Sequence, residues 1–146
     1  MITLKDVDKS NWEACAQLKV RPEQEDYIAS NLYSIAEAQF LEGFVTKAIY
    51  HNDELIGFAM YGLDADDHNY WIYRFMLDKR YQGQGFGQKG MQLVIEDIYR
   101  RDDRTNALLL GYNPSNDPAR KLYEKIGFKE IGIAEWGEMI AKYIFE

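Results

Sequence analysis

Three glycines in five residues, Gly83, Gly85 and Gly87, fall in the run Tyr81-Gln82-Gly83-Gln84-Gly85-Phe86-Gly87. The run lies between a predicted strand and a predicted helix. Glycine lets the backbone turn sharply and approach a ligand closely. The unpaired N–H groups at a helix start point outward, and the helix dipole there favours an anion. The chemistry that fits is backbone binding of a phosphate or pyrophosphate. Gly85-Phe86-Gly87-Gln88-Lys89-Gly90 also spells G-x-G-x-x-G. A dinucleotide fingerprint needs a tight turn straight from the first strand, and here the preceding strand ends near Leu77, after several others. No Asp or Glu ends the next strand about 20 residues on, where a ribose contact is expected. No Gly-Lys-Ser/Thr follows either, so the loop is not a nucleotide-triphosphate cradle.

The other reactive residue types offer less. His51 and His68 fall in turn regions without Cys or acidic partners at ligand spacing, so no metal is expected. Cys15, the single cysteine, shares an apolar helix face with Trp12 and Leu18 and reads as a packed residue.

The elements that must hold the loop follow from periodicity. Residues 2–6 read as a strand. A helix follows, capped by Asp8 or Ser10. Pro22 suits the first turn of a second helix, with Glu23, Glu25 and Asp26 at its positive end. That helix carries Tyr27, Leu32, Ile35 and Phe40 and stops at Gly43. Residues 44–50 and 54–61 form two strands around the turn His51-Asn52-Asp53. An acidic loop, 63–69, precedes a third, aromatic-rich strand at 70–77. After the glycine loop, Met91, Val94, Ile95 and Ile98 mark one helical face. Residues 105–112 are a strand. Asp117 caps the next helix, Pro118 opens it, and Gly127 ends it. Strands at about 128–134 and 138–145 close the chain. The order β-α-α-β-β-β-α-β-α-β-β predicts one α/β (α+β) domain over 1–146, with a mixed, mostly antiparallel sheet flanked by helices.

On these residues the chain resembles the GNAT superfamily of N-acetyltransferases. Gln82-Gly83-Gln84-Gly85-Phe86-Gly87 has the form Gln/Arg-x-x-Gly-x-Gly/Ala. Asn116, Ala119, Tyr123 and Gly127-Phe128 follow the superfamily's second pattern. Pro22-Glu23-Gln24, Asn31, Ser34 and Ala36, followed by Trp71 to Met76, are similar to the bacterial spermine/spermidine (diamine) acetyltransferases. The resemblance implies acetyl-CoA as cosubstrate. The backbone of Phe75, Met76 and Leu77 would pair with its pantetheine arm and polarise the acyl carbonyl. Gln82, Gly83, Gln84, Gly85, Phe86, Gly87 and Gln88 would hold the pyrophosphate. Asn116 would contact the pantetheine side. Tyr123 would be the general acid that protonates the leaving thiolate. Asn116 and Tyr123 are seven residues apart, about two helical turns, and so lie along one side of the helix or its entry. A tyrosine of ordinary pKa, about 10, is protonated near neutrality and can donate to a thiolate.

The acceptor implied is a primary amine, with polyamines such as spermidine or spermine leading. An alkylamine of pKa about 10.4 costs roughly 4.6 kcal/mol to deprotonate at pH 7. A base is therefore needed, and Tyr70-Trp71-Ile72-Tyr73-Arg74 carries no carboxylate. Glu37, Asp64, Asp66 and Asp67 are the candidates. Glu23, Asp26, Glu37 and Trp71 would line a cation site. Arg74 is expected to pair with an acid or point away. A peptide or protein N-acetyltransferase and a non-catalytic acyl-CoA-binding sensor are the alternatives.

Composition sets the outer limits. With 146 residues, 47% hydrophobic and 28% charged, the chain is ordinary for one folded domain. No apolar run reaches membrane-spanning length and no signal-peptide layout opens the chain, so a soluble, cytoplasmic protein is expected. The net charge of -7 argues against nucleic acid and suits a small cationic partner. Relatives of this kind are often dimers, so a homodimer is compatible with the resemblance.

Overall fold

The computed structural model describes residues 1–145. Seven strands form one sheet: β1 (Ile2–Asp6), β2 (Phe44–His51), β3 (Glu54–Leu63), β4 (Tyr70–Leu77), β5 (Ala107–Tyr112), β6 (Lys129–Ile133) and β7 (Met139–Ile144). Their spatial order is β1-β2-β3-β4-β5-β7-β6. Every neighbouring pair is antiparallel except β4–β5, which is parallel. Four helices flank the sheet: α1 (Trp12–Gln17), α2 (Asn31–Ala38), α3 (Phe86–Tyr99) and α4 (Asp117–Ile126). This is the α/β architecture expected from the sequence. No helix among the described residues is long and apolar enough to cross a membrane.

β3 shows why both faces are covered. Side chains alternate across a strand. Phe58 and Met60 meet Cys15 and Leu18 of the α1–α2 layer, while Ala59 and Tyr61 meet Met91, Val94 and Ile98 of α3. Burying such a side chain contributes about 1.5–3 kcal/mol, so a central strand sealed on both sides anchors the domain. The expected α3 face is the buried one. Cys15 is fully buried, and burial, aided by the Asp8 charge, pushes its thiol up to about 11. It is a packed residue.

Three local expectations need correction. The second helix does not run from Pro22. Pro22–Tyr27 is a tight three-residue-per-turn segment, Ile28 is extended, and α2 starts afresh where Ser30 Oγ accepts from Tyr33 N at 3.1 Å. Serine competes for backbone donors and starts helices better than it continues them. Neither Asp8 nor Ser10 caps α1. Its cap position is Asn11, because the Asp8 carboxylate is taken by the Ser10 N–H and hydroxyl. In α4 the cap is Asn116, not Asp117. Its Oδ1 accepts from Ala119 N at 3.3 Å, and Pro118 stands one place further in.

Asp78 follows β4 and is only 3% exposed. It accepts from Lys19 N at 2.9 Å, Arg80 N at 3.1 Å and Arg80 Nε at 2.7 Å. Burial opposes its charge, but the Arg80 bond and the backbone donors outweigh burial and hold the carboxyl below its ordinary range. Asp78→Ala strands the Lys19 donor, and urea denaturation should show a loss of about 1–3 kcal/mol. Because the folded pKa is depressed, the wild-type contribution is full above the ordinary carboxylate pKa and disappears as pH falls through the folded one. Variant and wild type should therefore converge in acid. A constant gap down to strongly acidic pH would rule this account out.

Candidate active site

β4 and β5 pair only over Tyr70–Ile72 with Leu108–Leu110. Beyond Ile72 they part. The β3–β4 register also slips there: Met60 faces Arg74 while Tyr61 faces Ile72, leaving Tyr73 as an extra residue. Such a bulge bends its strand and increases twist. The result is a cleft of about 760 Å³ between the ends of β4 and β5. Backbone groups of residues 73–77 on the β5 side have no strand opposite them. They can bond an extended ligand as a further strand would.

The cleft gathers most of the residues singled out by sequence. Phe75, Met76 and Leu77 form the β4 wall. Gln82, Gly83, Gly85, Gly87 and Gln88 form one end. Asn116 and Tyr123 face them from the start and middle of α4. Glu37 and Trp71 also line it.

The glycine loop has the conformation its composition requires. Gly83 and Gly85 have φ of +80° and +83°, the left-handed region that side chains resist. A Cβ at either would touch nothing within 4 Å, so φ rather than room is what selects glycine. Gly85 caps α3 with no side-chain bond, and the first turn holds no acidic residue. The leading N–H groups of this 14-residue helix are thus left for an external anion. The Gln82 amide is already engaged, donating to Leu77 O and Gln24 Oε1, both at 3.0 Å. It fastens the loop to the strand end, so its backbone is what remains for a ligand.

Four expected residues lie off the wall. The Phe86 ring packs against His51 at 4.5 Å. Gln84 is exposed and reaches back to Arg80 O at 3.4 Å. Glu23 and Asp26 are exposed and point elsewhere, while Gln24 and Tyr27 reach the cleft. Residues i and i+3 eclipse in a three-per-turn segment, so one pair faces in and the neighbouring pair faces out. An α-helical reading of 22–27 misplaces them.

Tyr123 is 9% exposed, with Tyr112 and Phe128 rings at 5.6 and 5.8 Å. Its hydroxyl has no hydrogen-bond partner among the described residues. Burial, then the Tyr112 and Glu138 charges, raises its pKa. The phenol therefore stays protonated through the neutral range. Asn116 spends Oδ1 on its cap and keeps its amide N–H groups for the cleft.

The acid candidates sort by their partners. Arg74 donates to Glu37 Oε1 at 2.9 Å, which is the pairing expected for Arg74 and leaves Glu37 compensated. Asp64 reaches the wall but accepts from the Tyr73 hydroxyl at 2.8 Å. Asp67 accepts from Trp71 Nε1 at 2.8 Å, and neither Asp66 nor Asp67 lines the cleft. Among the lining residues that went unnoticed in the sequence are Trp136 and Glu138. Both stand beside the turn between β6 and β7. Nothing in their spacing connects them to Asn116 or Tyr123; only strand pairing does.

Residues 6–128 match the Acetyltransferase (GNAT) family. The chain belongs to this family. As a GNAT member it is an acetyl-CoA-dependent N-acetyltransferase. It is 32% identical over 140 residues to the spermine/spermidine N(1)-acetyltransferase of Bacillus subtilis, covering 90% of each chain. It is 33% identical over 92 residues to a [ribosomal protein bS18]-alanine N-acetyltransferase of Haemophilus influenzae, covering 63% of this chain and 60% of that one. Among solved structures, aminoglycoside acetyltransferase AAC(6')-Ib in complex with coenzyme A superposes with a TM-score of 0.80 at 19% identity, over 99% of this GNAT chain and 95% of that one.

Proposed function

We propose that this acetyltransferase moves an acetyl group from acetyl-CoA to a primary amine of a polyamine such as spermidine or spermine. The observation that carries the choice is coverage. Likeness to the spermine/spermidine enzyme spans 90% of the chain, whereas likeness to the ribosomal-alanine enzyme spans 63%. The acceptor side of the cleft supports it, with the carboxylates of Asp64 and Glu138 and the indoles of Trp71 and Trp136 on its wall, while Glu37 there is already paired with Arg74. Carboxylates attract an ammonium, and indole faces add cation–π attraction.

In this reading the free edge of β4 at Phe75–Leu77 holds the pantetheine arm as an added strand. The N–H groups from Gly83 to Gln88 hold the pyrophosphate. Freed N–H groups of β4 stabilise the oxyanion that forms as the amine attacks the acetyl carbon. Tyr123 donates to the sulfur as the C–S bond breaks. The Asn116 amide orients the pantetheine. No metal enters the scheme.

The test is a panel of acceptors with acetyl-CoA, following free thiol. Spermidine and spermine should give the highest kcat/KM. A peptide with a free N-terminal alanine should be turned over at least about tenfold less well, a difference of ~1.4 kcal/mol. The reverse order would replace the polyamine reading with a protein N-terminal one.

A further inference from the structure

Glu37, Asp64 and Glu138 are the carboxylates on the cleft wall among the described residues. Glu37 is bound to a guanidinium and Asp64 to a phenol. Glu138 differs. Its Oε1 accepts from the neutral indole of Trp136 at 2.7 Å, and its Oε2 has no partner among the described residues. The neighbouring backbone fixes where it stands. In the β5–β7 register, Ile140 faces Gly111 and Met139 faces Tyr112. Glu138 therefore stands at the open end of β5. Its Oε1 lies 2.9 Å from where a Cβ on Gly111 would be. The carboxylate occupies the space that a side chain at 111 would take. The next residue, Tyr112, packs against Tyr123. Burial first, then the Tyr112 and Glu138 charges, raise the pKa of the Tyr123 phenol.

We propose that Glu138 is a catalytic residue: its carboxylate takes the proton from the ammonium of the acceptor, directly or through one water, and Gly111 is the vacancy that admits it. The proposal rests on the amine-acetylation reading above. The protons balance as follows. The ammonium gives its first proton to Glu138 and becomes a nucleophile. Its nitrogen bonds to the acetyl carbon, and the carbonyl electrons move to oxygen. The oxyanion collapses, the C–S bond breaks, and the sulfur takes the Tyr123 proton. The nitrogen, now carrying excess charge, returns its second proton to Tyr123. Glu138 then releases the first to solvent. The net products are the amide, coenzyme A thiol and one proton.

The groups sharing the wall with Glu138 that carry or can change charge are Glu37, Asp64, Arg74 and Lys125 and the phenols of Tyr27, Tyr73, Tyr112 and Tyr123. None of them bonds to it. Glu138→Gln keeps the shape and the Trp136 bond and removes the base. It should lower kcat by about 100-fold at pH 7 on the best acceptor. The deficit should shrink as pH rises toward the amine pKa, about 10.4, because the amine then arrives without its proton. Acetyl-CoA affinity should be unchanged, which reports an intact fold. Gly111→Ala, which displaces the carboxylate without removing it, should lower kcat in the same way. A Glu138→Gln kcat within about twofold of wild type at pH 7, a loss equal at every pH, or a change in KM alone would each overturn the assignment. If wild type itself acetylates no amine of the panel, the parent reading fails and takes this one with it. Wild-type turnover beside an unaffected variant sinks Glu138 alone.

Discussion

Tyr123→Phe is expected to lower kcat by about 10²–10⁴-fold while acetyl-CoA affinity stays within about twofold of wild type. The packing explains the split. The ring is held by Tyr112 and Phe128, and phenylalanine makes the same contacts. The hydroxyl contributes no intramolecular bond, so its removal leaves no protein donor or acceptor stranded. What is lost is a proton donor facing the cleft. Burial keeps the phenol protonated, yet it also makes complete proton transfer harder. In the proposed reaction the donation would therefore strengthen as charge gathers on the departing sulfur, when a charge-assisted bond is worth most. Steady-state thiol release with a parallel acetyl-CoA titration measures both quantities. An unchanged kcat, or a loss carried wholly by weaker acetyl-CoA binding, would remove Tyr123 from the chemistry.

Gly85→Val is expected to weaken acetyl-CoA binding by tenfold or more, about 1.4 kcal/mol. A left-handed residue with a side chain costs roughly 1–2 kcal/mol, and a branched Cβ makes it worse. The chain can meet that cost by turning Gly85 out of its φ of +83°, which swings the first turn of α3 and misdirects its N–H groups. Calorimetric titration with acetyl-CoA reads the effect. A thermal melt separates it from general unfolding, because an added Cβ at Gly85 meets no atom within 4 Å. Affinity equal to wild type would show that the loop does not cradle the ligand.

What the sequence discloses follows the reach of each physical signal. The glycine loop is legible because its demands on φ are local. The α3 face is legible because Met91, Val94, Ile95 and Ile98 repeat with helical period, and all four are buried. Asn116 and Tyr123 share one helix, so their common outlook on the cleft follows from spacing. Glu23 and Asp26 mislead because the period changes from 3.6 to 3 at Pro22, and only the break at Ile28 and Ser30 reveals it. Arg74 and Glu37 lie 37 residues apart, and nothing local links them. Glu138 is hidden most deeply. It enters the site only because β7 inserts between β5 and β6, a choice made by long-range pairing.

The parting of β4 from β5 also bears on mechanics. Within the sheet, three residue pairs join the leaf β1–β4 to the leaf β5–β7, and the core under α3 spans both. The seam stiffens through whatever lies along it. A cosubstrate bonded to the free rungs of β4 and gripped from the α4 side would act as a brace across a hinge. Loading would then lock the two leaves at the spacing the reaction needs, and discharge would release them.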